Sequence, residues 1–380
     1  MAGKNHIEQL IQDLCPSGVD TMTLGELLDY EQPTKYIVES TEYDDNYPTP
    51  VLTAGQSFIL GYTDETEGIY EASKEHPTII FDDFTTSYHW VEFDFKVKSS
   101  AMKMLRPRKG VKVNFRYIYY AMLGIEYVPE EHTRQWISRY SEFKIPVPPR
   151  QIQDEIVDIL DVFARLLDNI DTEIQARYKQ LEDARAVLLE NVDKEEYSKP
   201  LGKICKFPKD RISASELNYD NYVGVENLLQ KKQGITRASV LPMGNAIKFI
   251  EGDVLIGNIR PNLRKIWLAD RTGGTNGDVV TLRRREEFWD MVETSYLYHV
   301  LADERFFLFD IQFARGAKMP RGNKEKIMEY PIPVPPIAEQ RAIAEKLDTI
   351  EAFINNLKTE RDLRQQQYEY YREHLINLLK

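Results

Sequence analysis

From Gln151 to Asn191 apolar side chains recur at spacings that alternate between four and three: Ile156, Leu160, Phe163, Leu167, Ile170 and Ile174, then Leu181, Ala184 and Leu188, with one interruption at Arg177. That alternation is the a/d seam of a coiled coil. It predicts a helix of roughly forty residues, a rod of about 60 Å at 1.5 Å per residue. A second stretch keeps the same register through Ile343, Leu347, Ile350, Ile354, Leu357, Tyr368, Tyr371, Leu375 and Leu378, broken at Arg361 and Arg364. Each rod has an apolar stripe that needs covering, and the simplest cover is the other rod.

A proline-rich segment stands ahead of each rod. Phe143-Lys144-Ile145-Pro146-Val147-Pro148-Pro149 is echoed by Tyr330-Pro331-Ile332-Pro333-Val334-Pro335-Pro336, an offset of 187 residues between the Ile-Pro-Val-Pro-Pro cores. The same offset pairs Gln153 with Gln340, Asp161 with Asp348, Arg177 with Arg364, Arg185 with Arg372 and Leu188 with Leu375. A repeat of this length decides the architecture. Alternating prolines fix φ and remove donors, so the segment is an extended, rigid ramp into a helix. A Pro-rich stretch can also be a ligand for a groove-binding module; its place before the same helix in both copies favours the ramp.

The rest of the chain alternates between turn residues and short apolar clusters. Ile7, Leu10, Ile11 and Leu14 predict an amphipathic helix over residues 5–14, closed by Cys15-Pro16-Ser17-Gly18. Phe58 to Leu60, Thr78 to Phe81 and Trp90 to Phe95 predict strands, and Phe115 to Leu123 a helix, giving a first mixed domain. Residues 199–328 predict a second: Leu201-Gly202 echoes Leu24-Gly25 and Leu282-Arg283 echoes Leu105-Arg106 at an offset of 177, whereas Arg321 echoes Arg134 at 187. An insertion of about ten residues therefore falls in the second domain, between those points. The expected fold class is α+β, with a mixed domain at 1–147, a rod at 148–197, a mixed domain at 198–334 and a rod at 335–380. Because rod one leads from domain one to domain two, a rod two packed beside it runs back. The expectation is an antiparallel coiled coil with a domain at each end and an approximate two-fold axis.

Composition excludes some classes. The chain is 42% hydrophobic and 29% charged, ordinary for a soluble globular protein, and no apolar run approaches the roughly 20 residues that span a bilayer. The opening Met1 to His6 lacks a signal-peptide core. Cys15 and Cys205 are too few for a disulfide framework or a cysteine metal site, so a reduced, cytoplasmic location without membrane contact is expected. The net charge of −12 is unevenly spread: residues 151–199 carry 6 basic and 13 acidic side chains, residues 200–337 carry 21 and 17. Lys96, Lys98, Lys103, Arg106, Arg108, Lys109, Lys112 and Arg116 form a basic run without an acid. Local patches, not net charge, govern phosphate attraction, because exposed charges are screened beyond about 10 Å.

Catalytic motifs are missing. There is no Walker-type glycine loop, no Asn-Pro-Pro or Asp-Pro-Pro aromatic motif of an amino-methyltransferase, and no His or Cys cluster at metal-ligand spacing. Asp82-Asp83 suggests a nuclease metal pair, but no lysine follows at the close spacing such sites use, and acidic turn residues after a buried strand explain it better. The stretch Gly252 to Pro261 reads as a turn and a buried strand whose exit presents Asn258, Arg260, Asn262, Arg264 and Lys265. Arginine, lysine and asparagine pair base edges and phosphates, although a solvated polar loop would have the same residues. Arg315, Lys318, Arg321 and Asn323 lie in a basic loop just ahead of the second ramp, and His132, Arg134 and Arg139 in its counterpart ahead of the first. With Lys98 and Lys103 of the basic run, and His132 and Arg264 left aside, these are the DNA-binding candidates.

The duplicated Ile-Pro-Val-Pro-Pro, the Gln-containing helix start and the long heptad helix resemble the specificity (S) subunit of type I restriction-modification enzymes, as do Gly252-Asp253-Val254-Leu255-Ile256-Gly257 with Arg260-Pro261 and the Asp13 to Val19 opening. The resemblance covers essentially the whole chain. It implies a non-catalytic reader of double-stranded DNA with two target recognition domains for a bipartite, asymmetric target, and helices that set the spacer. It also implies two docked methyltransferase subunits carrying S-adenosylmethionine and restriction subunits using ATP and Mg, with no cofactor, metal or catalytic residue on this chain. Domain one departs from the pattern, having His76 to Phe81 where domain two has Gly252 to Gly257, which suggests that the domains read different sequences. A coiled-coil adaptor that binds no DNA and a stand-alone nuclease are the alternatives.

Overall fold

Both heptad stretches are single helices of 41 residues, Arg150–Glu190 and Ile337–Asn377, in a computed structural model that describes residues 2–55, 58–129 and 133–380. The chain falls into two units, Met1–Asn169 with Arg361–Lys380, and Ile170–Glu360. Each unit contains one mixed domain and a half of each long helix. Among the described residues no helix is long and apolar enough to cross a membrane.

Unit one begins with α1 (Ala2–Leu14), β1 (Thr21–Thr23), α2 (Leu24–Leu27) and β2 (Leu28–Glu31). It continues through β3 (Thr49–Leu52), β4 (Ile59–Thr63), β5 (Thr78–Asp82), β6 (Tyr88–Val91), β7 (Lys96–Val97) and β8 (Met102–Pro107). α3 (Phe115–Met122), β9 (Lys144–Pro146) and the first half of α4 (Arg150–Glu190) complete its main run. One sheet has the order β2-β8-β5-β6, a smaller one β4-β3-β7, and the ramp strand β9 pairs antiparallel with β1. Successive residues of a strand face opposite sides, and β5 shows it: Ile79 and Phe81 join the core beneath α3 and α4, while Ile80 joins the core shared with Leu52, Phe95 and Val97.

Unit two repeats the plan. After the second half of α4 come β10 (Ser198–Pro200), α5 (Leu201–Ile204), β11 (Cys205–Lys206), β12 (Arg211–Ile212), β13 (Ala246–Phe249) and β14 (Val254–Gly257). β15 (Ile266–Leu268), β16 (Gly273–Thr275), β17 (Val279–Arg284), α6 (Thr294–Ala302), α7 (Glu304–Phe313), α8 (Lys324–Ile327), β18 (Pro331–Pro333) and α9 (Ile337–Asn377) follow. The sheets are β11-β17-β14-β15 and β12-β13-β16, and the ramp strand β18 pairs with β10. Leu105 lies opposite Ile79, and Leu282 opposite Val254, so β5 and β14 are counterparts. The Leu-Gly echo has a cause: Leu24 N–H donates to Phe143 O at 2.9 Å and Leu201 N–H to Tyr330 O at 2.8 Å. A Cβ on Gly25 or Gly202 would lie 3.3 or 3.2 Å from the facing backbone oxygen of Ser141 or Met328.

In each unit the two helix halves run antiparallel. In unit one Phe163 stacks on Tyr371 at 5.2 Å, and Leu375, Ile376 and Leu379 share the core of Ile152, Ile156 and Leu160. In unit two the Arg177 guanidinium lies over Phe353 and the Lys358 ammonium over Tyr178. The seam departs from strict heptads at the end of α4, where Leu189 is buried while Leu188 is half-buried, because a straight helix drifts against a seven-residue repeat. Leu378 and Leu379 fall in the turn after α9, with Leu379 the buried one. The strand expected over Trp90 to Phe95 stops at Val91. There Glu92 accepts the Trp90 indole N–H and Asp94 accepts the Ala72 amide, pulling the chain into a turn.

The ramp is locked to its domain by one glutamine in each unit. Gln153, 2% exposed, donates to Pro148 O at 2.7 Å and accepts from the Asn114 amide at 2.8 Å, where Asn114 caps α3. Gln340, 0% exposed, donates to Pro335 O at 2.7 Å and Met291 O at 2.8 Å and accepts from the amide of Glu293, the cap of α6, at 2.9 Å. Tyr117 and Tyr296 hydroxyls donate to Pro146 O and Pro333 O. Two turns further on, Asp161 accepts from Arg116 and Tyr120 of α3, and Asp348 from Ser295 and His299 of α6. Replacing Gln340→Ala strands buried backbone groups at about 1–3 kcal/mol each. A loss of roughly 3 kcal/mol or more is expected in urea unfolding of that variant, and the same for Gln153→Ala.

Candidate nucleic-acid interface

The strands β5 and β14 deliver equivalent residues, Asp83 and Asn258, to the sheet edge, and in each unit the loop ahead of the ramp clips onto that residue. Gln135 N–H donates to Asp83 O at 2.7 Å, and Gly322 N–H to Asn258 O at 3.0 Å. The offset of Gln135 and Gly322 is the 187 of the ramp.

In unit one Asp83 is the hub. Its side chain is 1% exposed, accepts the Trp136 amide at 2.8 Å and lies 3.0 Å from the Lys103 ammonium. Lys103 is itself fully buried, its ammonium 4.7 Å from the centre of the Tyr30 ring. The sequence offered no sign of this pair, because Lys103 arrives from the neighbouring strand through the Phe81–Lys103 register. Asp82 is the turn residue expected there, accepting the amides of Phe84 and Thr85. Arg134 is exposed, its guanidinium 3.7 Å from Asp83, and Arg139 is exposed with no side-chain partner among the described residues. Lys98 donates to the Tyr43 hydroxyl at 2.8 Å. His132 lies outside the described residues. The basic run forms no single open patch: Lys96 is buried against Glu65, Arg108 pairs with Asp29, and Arg116 sits among Trp90, Tyr119 and Tyr120 beside Asp161.

In unit two Gly252, at φ +84°, turns the chain into β14, and Asp253 accepts the Ile250 amide and pairs with Arg283 at 2.9 Å. Beyond the strand Asn258 is buried, so it faces inward. Arg260 and Asn262 are exposed. Arg264 forks onto Glu304. Lys265 donates to Val225 O, and burial pushes its ammonium pKa down. Arg315 and Lys318 are exposed without side-chain partners among the described residues. Arg321 pairs with Asp278 at 3.1 Å, and Asn323 caps α8. Arg260, Asn262, Arg315 and Lys318 are thus the candidates here with outward, unengaged side chains, and Ile259 and Arg321 form a β-bridge that brings their two loops together.

His299, Asp348 and Glu351 place three potential metal-ligand atoms within 4.8 Å of one another. Their bonds are already made within the protein. Arg185, 1% exposed, donates to His299 Nδ1 at 3.5 Å, leaving the proton on Nε2, which donates to Asp348 at 2.9 Å. Tyr298 donates to Glu351 at 2.8 Å. Burial opposes ionisation of Asp348, but the bonds from His299 and Ser295 hold its carboxyl below the usual range. The donor set fits a brace between α6 and α9, with both ring nitrogens of His299 already engaged.

Residues 16–179 and 199–364 match the family described as type I restriction modification DNA specificity domain. The chain is 35% identical to the specificity subunit of the type I restriction enzyme EcoR124I/EcoR124II from Escherichia coli, across 100% of this chain and 98% of that one. It is 24% identical, over 90% and 91% of the two chains, to a type I restriction enzyme specificity subunit from Haemophilus influenzae. The crystal structure of a type I restriction-modification S subunit from M. genitalium has the same fold, with a TM-score of 0.54 at 15% identity over 94% of this chain and 95% of that one.

The basic loop of unit two rests on Asp310 of α7. This carboxylate is 2% exposed with neither oxygen hydrogen-bonded, and a Cβ on Gly322 would sit 2.4 Å from it. Burial raises its pKa to about 6 from an ordinary 3.8. The protonated acid is the form the fold favours, so this contribution is complete below about pH 4 and is lost as pH rises through 6. Asp310→Asn should raise stability at pH 8 by up to about 3 kcal/mol and change it little at pH 4, read as melting temperatures at the two pH values.

Proposed function

The chain belongs to the type I restriction-modification DNA specificity family, as its non-catalytic specificity subunit, and we propose that residues 1–147 and 198–334 are target recognition domains, each binding one half of a split target in double-stranded DNA. The observation that carries this reading is the repeated clip beside β5 and β14. In both units a backbone-anchored loop ahead of the ramp brings exposed arginines to the same strand exit, Arg134 and Arg139 in one and Arg315 in the other, where Arg315 joins Arg260 of the loop that leaves β14. Lys318 and Asn262 supplement them, while Lys98 is bonded to the Tyr43 hydroxyl. Arg321, Lys265, Asn323, Asn258 and Lys103 hold the loops in place, since their side chains already have internal partners or are buried.

The halves of the target differ because the equivalent surfaces differ. Exposed Ile137 and Ser138 stand where unit two has exposed Lys324 and Glu325, and beneath them the buried Asp83 and its lysine stand where unit two has Asn258. The target is therefore asymmetric. The segments 148–197 and 335–380 act as the ruler that sets the unspecified gap and as the dock for two methyltransferase subunits, which carry S-adenosylmethionine. Restriction subunits using ATP and Mg complete the complex. A groove in unit two lined by Ala176, Ala184, Val187 and Ile350, with Val187 59% exposed, offers an apolar surface of the kind such docking uses.

Three measurements test this. Binding of the specificity–methyltransferase complex to its target should weaken steeply with salt, a log–log slope of about −0.9 per phosphate contacted; a flat response would instead indicate an adaptor. Exchanging residues 198–334 for those of a relative should change one half of the methylated sequence and leave the other half and the gap as they were. Inserting one heptad into both rods together should lengthen the gap, as read by methylome sequencing.

A further inference from the structure

Among the described residues five non-glycine positions have a left-handed backbone: Thr86, Lys231, Lys232, Arg260 and Arg264. Four of them lie on two loops of unit two that are bonded to each other, Lys231 N–H to Leu263 O and Lys232 N–H to Arg264 O, both at 2.9 Å. Side chains other than glycine pay sterically for this conformation, and it persists where surroundings over-determine it, which happens most at functional sites.

The constraints around Arg260 are visible. Its N–H donates to Pro320 O of the basic loop at 2.7 Å, its carbonyl accepts Leu263 N–H at 2.8 Å, and the following Pro261 is buried. Of its strained neighbours, Lys232 is committed to Glu182 and Arg264 to Glu304. The Arg260 backbone is thus fixed from two loops, while its guanidinium is exposed and has no partner among the described residues.

We propose that Arg260 is a specificity-determining residue of the second domain, its guanidinium donating to O6 and N7 of one guanine in the major groove. The inference rests on the DNA-reading role given above. A phosphate accepts a cation from many directions, and Arg315 and Lys318 on their glycine-containing loop meet that need. A base edge is read by donors held at one place, and a guanidinium fork on a Cα fixed in a strained geometry supplies them already positioned.

The test uses the complex of this chain with its methyltransferase subunits and duplexes carrying the target found by methylome sequencing, varied one base pair at a time in the half assigned to residues 198–334. Arg260→Gly, Arg260→Lys and the control Lys231→Gly are compared. Arg260→Gly removes the backbone strain, so its melting temperature should rise or hold. Preference for one G·C pair should nevertheless fall by about 5- to 150-fold. Arg260→Lys should lose part of that preference, because an ammonium on a flexible stem can reach both acceptors but is not held in the rigid planar fork of a guanidinium, while Lys231→Gly should keep it. A uniform loss across all sequences, with the salt slope reduced by about one, would make Arg260 a phosphate contact and overturn the proposal. Unchanged preference would also overturn it. A wild-type complex with no preference anywhere in that half would instead sink the reading of the domain.

Discussion

A ramp built from proline has carbonyls but few amide hydrogens, and in this fold those carbonyls are buried against the start of a long helix. Pro148 O and Pro335 O cannot be satisfied by the ramp itself, and the first bonded N–H groups of each helix go to the next carbonyl, Pro149 O or Pro336 O. The amide groups of Gln153 and Gln340 meet the need. Each carries two donors and an acceptor, so one side chain can serve the ramp and the cap of the domain's own helix together. Helix, ramp and domain are thereby fixed to one another at a single buried point, and the exposed loops inherit their positions from it.

The second attachment, at Asp161 and Asp348, keeps the acceptor and varies the donors. Arginine and tyrosine approach it in one unit, serine and histidine in the other. A carboxylate accepts from several directions, so the helix side of the joint tolerates unlike domains. That tolerance is what two domains with different surfaces on one repeated frame require.

The helices, the ramps and the duplication were legible because periodicity and proline spacing are local properties. So were the glutamine and aspartate matches, although not what they bond. What escaped was set by strand pairing and burial. Lys103 looked like one more cation of a basic run, yet its register opposite Phe81 puts it inside, next to Asp83. Arg185 looked like a repeat position on a solvated rod and is buried against His299. Arg264, Lys265 and Arg321 shared a polar composition with Arg260, and only the folded chain separates side chains with an internal partner from those without. The left-handed residues had no signal at all, since neither lysine nor arginine announces that conformation as glycine does.

The ramps have a further effect. β9 pairs with β1 and β18 with β10, and the far side of each ramp strand lies against the domain's own helix, where the Tyr117 and Tyr296 hydroxyls reach Pro146 O and Pro333 O. Prolines at Pro146, Pro331 and Pro333 remove amide hydrogens from that side, where the helix offers donors and not acceptors. The residues that stiffen the approach to each helix thus also let the ramp be buried against its domain with fewer amide hydrogens left to satisfy.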